Sequence, residues 1–233
     1  MSAIYLVRHG QATVDGPEYD VLSPRGIRQA QILGAYFLRT GCRFARFYSG
    51  GLQRQNDTAR RITAALADGG PPPEPEIFPE FVEHDTPAIV RAALPGIDGR
   101  DYDRLKKLPL EERRDLKRII GRALLDWAAG DLTLPGVESR RDFVARVRAG
   151  LERAAVAAPA GENKLIVTSG GPIGAAMQLA LGLTDREAVE LSWIVRNASV
   201  TVLKRRRDRW ALVSFNSVAH LEMEREPDLL TYV

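Results

Sequence analysis

Two segments of this sequence set reactive side chains immediately after apolar strand-like runs. Arg8-His9-Gly10 follows Ile4-Tyr5-Leu6-Val7, and Ser169-Gly170-Gly171 follows Leu165-Ile166-Val167-Thr168. Each reads as strand, glycine turn, then helix. In an open α/β sheet such turns lie beyond the carboxyl ends of the strands, where ligands collect. Glycine turns and helix N-termini there present free backbone N–H groups to an anion. A phosphate site fits this design, and so do glycines that serve only tight turns. Arg8-His9-Gly10 is the more telling segment, because core packing explains a histidine leaving a buried strand poorly. With an ordinary pKa of about 6.5, histidine is mostly neutral at pH 7, and its free ring nitrogen can attack phosphorus. Arg8 would neutralise an incoming dianion, while Gly10 would let the backbone come close and fix the ring tautomer.

Composition narrows the alternatives. The chain has 233 residues, 45% of them apolar and 27% charged, enough for a real core and outside the disordered and disulfide-scaffold classes. It holds just three histidines, His9, His84 and His220, and one cysteine, Cys42, without metal-ligand spacing, so neither metal nor cofactor is expected. A lone cysteine and a Met1 that leads almost directly into strand sequence give the expectation of a reducing cytoplasm. No apolar run approaches the roughly 18 residues of a membrane span, so no membrane partner is expected. Of 33 basic residues only five are lysines, and genomic base composition accounts for most of the arginines. The run Lys204-Arg205-Arg206-Arg207 has no interleaved aromatics and reads as a solvated hairpin tip, so no nucleic-acid partner is expected. Oligomerisation stays open.

The elements that must position these residues alternate along the chain. Ala3–Val7 reads as a buried strand. Ser23-Pro24 supplies an N-cap and first-turn proline to a helix whose stripe runs Ile27, Ala30, Leu33, Gly34, Phe37 and Leu38. A strand at Phe44–Tyr48, a helix from about Gln55 to Ala67 and a short extended piece at Glu76-Ile77-Phe78 follow. From Thr86 to Gly130 the pattern is helical, with a long charged helix from Pro109 to Ala129. Ser139 with Asp142, and Thr184 with Glu187, mark two further helix starts. Val200–Leu203 and Trp210–Phe215 read as a hairpin. The expected fold is a single α/β domain, a three-layer sandwich with a mostly parallel sheet and helices on both faces. A helical cap insertion is expected at about 86–135.

Beyond these turns, several segments resemble the histidine phosphatase superfamily, also called phosphoglycerate-mutase-like. They are Tyr5-Leu6-Val7-Arg8-His9-Gly10-Gln11-Ala12, Leu22-Ser23-Pro24-Arg25-Gly26-Ile27-Arg28-Gln29-Ala30, Tyr48-Ser49-Gly50-Gly51-Leu52-Gln53-Arg54 with Asp57-Thr58-Ala59, and Phe81-Val82-Glu83. Gly136-Val137-Glu138-Ser139 with Arg146-Val147, the second strand turn and Asn216…His220-Leu221 complete the set, in the family's order. The resemblance implies that His9 is the nucleophile and becomes phosphohistidine. It implies that Arg8 and Arg54 bind the phosphoryl oxygens. Glu83 would protonate the leaving oxygen and then activate water, for which partial burial should raise its pKa. Gln11 and Arg25 border the first motif as further phosphate contacts. His84 reads as a surface-loop histidine; His220 matches a recurrent C-terminal histidine of the family that could buttress the site, but it follows the hairpin and reads first as a structural residue.

One position departs from the family pattern. Where a second histidine usually precedes Gly-Gly, this chain has Ser169. Serine donates one neutral hydrogen bond and carries no charge. Loss of one preorganised donor typically lowers rate by about 10²–10³, so the implied activity is slow hydrolysis of a small phosphomonoester, with Ser169 and Gly170 among the phosphate contacts. A mutase is disfavoured, because it needs a complete charged clamp. Two rivals stay open: a phosphate-ligand binding protein without turnover, and a serine hydrolase using Ser169 with His220 and Asp185 or Asp208. The latter meets an obstacle at Val167, where a nucleophile elbow requires a small residue.

Overall fold

Side chains alternate along the first strand, β1 (Ala3–Arg8), and the alternation divides the core in two. Ile4 and Leu6 enter one apolar cluster, Tyr5 and Val7 the other. The computed structural model describes residues 2–13, 20–67, 69–93, 113–130, 135–157 and 161–232, with the backbone alone at 113–117. Two helices, α1 (Pro24–Arg39) and α2 (Gln53–Leu66), cover the Val7 face with Leu33, Phe37, Ala59 and Ile62. The Leu6 face is covered by α3 (Thr86–Ala93), α4 (Arg113–Ala129), α5 (Arg140–Val156), α6 (Gly170–Leu181) and α7 (Asp185–Trp193). The result is the three-layer sandwich expected from the alternating pattern.

Between the layers lies a sheet of six described strands: β1, β2 (Phe44–Ser49), β3 (Glu76–Ile77), β4 (Asn163–Thr168), β5 (Val200–Arg206) and β6 (Arg209–Ser217). Their order is β3-β2-β4-β1-β5-β6. The pairs β3/β2, β2/β4 and β4/β1 are parallel, whereas β5 and β6 add an antiparallel hairpin at one edge. The parallel register aligns Arg8 with Thr168, and Ser49 with Val167. Three carboxyl strand ends therefore finish side by side, which sets the turns after β1, β2 and β4 together.

Local chemistry sets the helix boundaries where the sequence signals them. Ser23 caps α1 by accepting from Gly26 N at 3.0 Å, and Ser139 caps α5 by accepting from Asp142 N at 3.1 Å. Thr184 and Glu187 form a reciprocal capping box on α7. Two expectations change. Lys204, Arg205 and Arg206 lie within β5, and only Arg207-Asp208 make the turn, with Arg207 at φ 52°. Leu38, expected on the buried stripe of α1, is 59% exposed, because the stripe turns through Gly26 and Gln29 instead. Of the expected cap, α3 and α4 pack into the main core, while residues 94–112, with Arg100, Arg104, Lys106, Lys107 and the expected start at Pro109, lie outside the described residues. Among the described residues no helix is long and apolar enough to cross a membrane.

Candidate active site

His9 sits on a turn whose backbone is held from every side. Its N–H donates to Thr168 O at 2.8 Å, and its carbonyl accepts from Asn197 Nδ2 at 3.1 Å and Ala198 N at 3.2 Å. Gly10 N donates to Thr58 Oγ1 at 3.0 Å, and Gln11 N to Gln29 Oε1 at 2.8 Å. A β-carbon on Gly10 would stand 2.4 Å from the backbone oxygen of Gly26, so only glycine fits there. The ring is fixed as well. Nδ1 lies 2.7 Å from Gly10 O, and Nε2 accepts from Arg54 Nε at 3.0 Å. The carbonyl can only accept, so Nδ1 carries the proton and Nε2 keeps its lone pair. Burial, then the charges of Arg54 and Arg8, push the His9 pKa well below the ordinary histidine value, so the ring is neutral at pH 7.

Two guanidinium groups flank that ring. Arg54, on the first turn of α2, also pairs through Nη1 with Asp20 Oδ1 at 2.5 Å. The second oxygen of Asp20 accepts from Gln53 N at 2.7 Å, at the N-terminus of α2. Asp20 thus sits where a helix N-terminus and an arginine fork together favour an anion. Arg8 is buried and donates through Nη1 to Val195 O. The second turn contributes Ser169, 1% exposed, whose hydroxyl accepts from Gln55 Nε2 at 2.8 Å. Gln55 is fully buried, and its carbonyl accepts from Leu52 N at 3.1 Å. This amide engages one of the two lone pairs of the Ser169 hydroxyl, and its O–H stays able to donate. Gly170 opens α6, where the first N–H groups of a helix have no intrahelical acceptor.

Glu83 is near enough to His9 for its charge to act on the ring. Its Oε2 accepts from Gly171 N at 3.1 Å, and Oε1 from its neighbour's backbone, His84 N, at 3.0 Å. His84 Nδ1 is 2.7 Å from Oε1. Burial alone would raise the carboxyl, but the His84 charge and these hydrogen bonds outweigh it and hold Glu83 at about 2. This reverses the raised value expected from burial, because helix α6 and His84 supply more stabilisation than desolvation removes. His84 itself is no surface residue: its side chain is 11% exposed, stacked on Trp127 at 5.3 Å and edge-on to Phe143 at 5.6 Å. Arg146 locks the approach to Glu83. Its fork grips both Glu138 oxygens at 2.8 Å while Nη1 reaches the carbonyls of Pro79, Glu80 and Val82.

The other sequence candidates fall elsewhere. Gln11 Oε1 accepts from Ser23 Oγ at 3.0 Å, and Arg25 lies 3.9 Å from Asp228, so both have partners away from His9. His220 is buried 5.8 Å from the Tyr36 ring and bonds the backbone at Ala198, whose N–H reaches the Arg8 and His9 carbonyls. It supports the turn one residue removed. Ser169, His220 and Asp185 do not assemble into a triad: Gln55 holds the serine, Ala198 the histidine, and Asp185 pairs with Arg140 at 3.0 Å. Among the described residues no cluster of His, Cys, Asp and Glu could hold a metal. Gln55 and Thr58 escaped the sequence reading, although two polar residues on the buried stripe of Ala59 and Ile62 are a usable signal. Asn197 carries no such signal.

Comparison with known proteins gives the family and the fold. The profile of the histidine phosphatase superfamily (branch 1) matches residues 4–90 and 83–218, and the chain belongs to that superfamily. Phosphoserine phosphatase from Entamoeba histolytica, solved with phosphoserine, aligns at TM-score 0.64 and 19% identity over 95% of this chain and 100% of that one. Phosphoglycerate mutase from Bacillus anthracis aligns at TM-score 0.65 and 18% identity over 97% of each chain. A mycobacterial glucosyl-3-phosphoglycerate phosphatase, solved with inorganic phosphate, gives 0.61 and 22% over 94% of this chain and 99% of the other. No curated protein sequence is significantly similar to the chain.

Proposed function

We propose that this protein hydrolyses a small phosphomonoester through a phosphohistidine on His9. One observation carries this: His9 Nδ1 is tied to Gly10 O and Nε2 faces Arg54, which leaves the lone pair on Nε2. As the phosphate draws the Arg54 guanidinium onto its oxygens, Nε2 loses the Arg54 N–H and attacks phosphorus, the ester P–O bond breaks, and Arg54, Arg8 and the α6 N-terminus at Gly170 stabilise the charge on the phosphoryl oxygens. Ser169 donates one neutral hydrogen bond to the same oxygens. Glu83 protonates the leaving oxygen, and water activated by Glu83 then releases phosphate from His9. No metal or cofactor enters this chemistry. Structural neighbours described as phosphoserine phosphatase and glucosyl-3-phosphoglycerate phosphatase support a phosphorylated small molecule as substrate.

Ser169 also favours a rival, a protein that binds phosphorylated ligands without turning them over, because a neutral hydroxyl stands where the family places a histidine. One assay separates the two. Hydrolysis of p-nitrophenyl phosphate and a panel of sugar, amino-acid and nucleotide phosphates is measured for wild type and His9→Ala. Turnover that disappears in the variant supports the phosphatase and excludes the binder. Equal inertness of both proteins refutes the phosphatase.

A further inference from the structure

An acid that must protonate a leaving group needs a proton, and Glu83 is held ionised by its surroundings. The source is adjacent. His84 Nδ1 is buried and stands 2.7 Å from Glu83 Oε1, an ion-pair contact. Trp127 and Phe143 enclose the imidazole, and an aromatic face favours a cationic ring. Arg146 of α5 lies 4.9 Å from the Phe143 ring, with its charge paired to Glu138. Arg140 of α5 lies 5.6 Å from the Trp127 ring and 5.5 Å from the Phe143 ring, and its own charge is paired with Asp185 of α7. Toward β1 stand His9, which is neutral, and Arg8. At α6, a β-carbon on Gly171 would come within 2.1 Å of Glu83 Oε1 and 2.6 Å of His84 Nδ1, so the glycine keeps the two groups in contact.

We propose that Glu83 and His84 hold one proton between them, resting on His84 Nδ1 and passing to Glu83 Oε1 as a phosphate dianion enters. His84 is then a positioning residue acting through Glu83. The dianion disfavours a second negative charge beside it, which draws the proton onto the carboxylate. In the first step Nε2 of His9 bonds phosphorus, the ester P–O bond breaks, and the leaving oxygen takes the proton from Glu83. In the second, water attacks phosphorus and its proton returns through Glu83 to His84. The N–P electron pair goes back to His9. This rests on the phosphatase activity proposed above.

The test is leaving-group dependence. p-Nitrophenolate departs without a proton, whereas an alkyl oxygen needs one. For the alkyl ester turned over fastest among phosphoserine, 3-phosphoglycerate and glycerol phosphate, His84→Gln should lower kcat/KM by about 10². On p-nitrophenyl phosphate it should stay within about threefold of wild type. An equal fall on both esters, or no fall on the alkyl ester, overturns the relay. Should the variant not fold, the wild type suffices: with three histidines, a ¹⁵N-imidazole spectrum resolves each ring. His84 should lose its Nδ1 proton on adding orthovanadate at pH 7, and an unchanged ring refutes the proposal. Absence of any His9-dependent hydrolysis refutes the phosphatase itself, and the relay with it.

Discussion

Acidification to pH 4.5 should weaken the fold through His220, which lies under the His9 turn. The ring is 1% exposed and Nε2 has no partner among the described residues. Burial drives its pKa from 6.5 down to about 4, against a smaller upward pull from the hydrogen bond with the Ala198 backbone. Because the folded value lies below the unfolded one, the unfolded chain binds a proton that the folded chain refuses. Stability is therefore complete above about pH 7 and is lost as pH falls through the window from 6.5 to 4. Linkage gives a loss of about 1.4 kcal/mol at pH 5.5 and about 2.5 kcal/mol at pH 4.5 from this one ring. His220→Asn sets an amide N–H near the Nδ1 position, so it keeps a donor toward Ala198 but cannot titrate. The assay is urea unfolding of both proteins at pH 7.5, 5.5 and 4.5. Packing lost in the variant is the same at each pH, and other titrating groups, His9 included, are common to both proteins, so both cancel in the double difference. The variant's deficit at pH 7.5 should shrink by about 2.5 kcal/mol at pH 4.5. A deficit that does not change with pH would refute the reasoning.

Two substitutions probe the opposite sides of the site. Gly171→Ala forces Glu83 and His84 off the α6 N-terminus, since the new methyl would stand 2.1 Å from Oε1. kcat on an alkyl phosphomonoester should fall by about 10², with vanadate affinity, measured by inhibition of p-nitrophenyl phosphate hydrolysis, retained within a few-fold. Asp20→Asn removes the carboxylate that engages Arg54 at 2.5 Å. A partly exposed ion pair contributes about 0.5–1 kcal/mol, so titration calorimetry should show phosphate binding about two- to fivefold tighter; weaker binding would mean that Asp20 instead holds Arg54 in its binding posture.

Much of the architecture was legible because it rests on local rules. Alternation in Ile4-Tyr5-Leu6-Val7 is a period of two that any sheet must bury, and caps such as Ser23, Ser139 and Thr184 satisfy helix N–H groups within three residues of themselves. The basic run after Val200 misled for the same local reason: charge marks a tip only if the strand ends before it, and pairing with β1 and β6 carries β5 through Arg206.

Motifs single out His9, Arg54, Glu83 and Ser169 as candidates, and the sequence determined by itself which side chains are available to react. Their states came only from the fold. Gln55 is 114 residues from Ser169, and its amide decides what the serine hydroxyl can do. Gly171 is 88 residues from Glu83, and its N–H helps to hold ionised a carboxyl that burial alone would protonate. His84 looked like a loop residue until Trp127 and Phe143, from two other helices, enclosed it. Residue type is a covalent property that a sequence carries in full, whereas protonation and hydrogen-bond direction depend on dielectric surroundings and on partners that only tertiary packing brings within 3 Å.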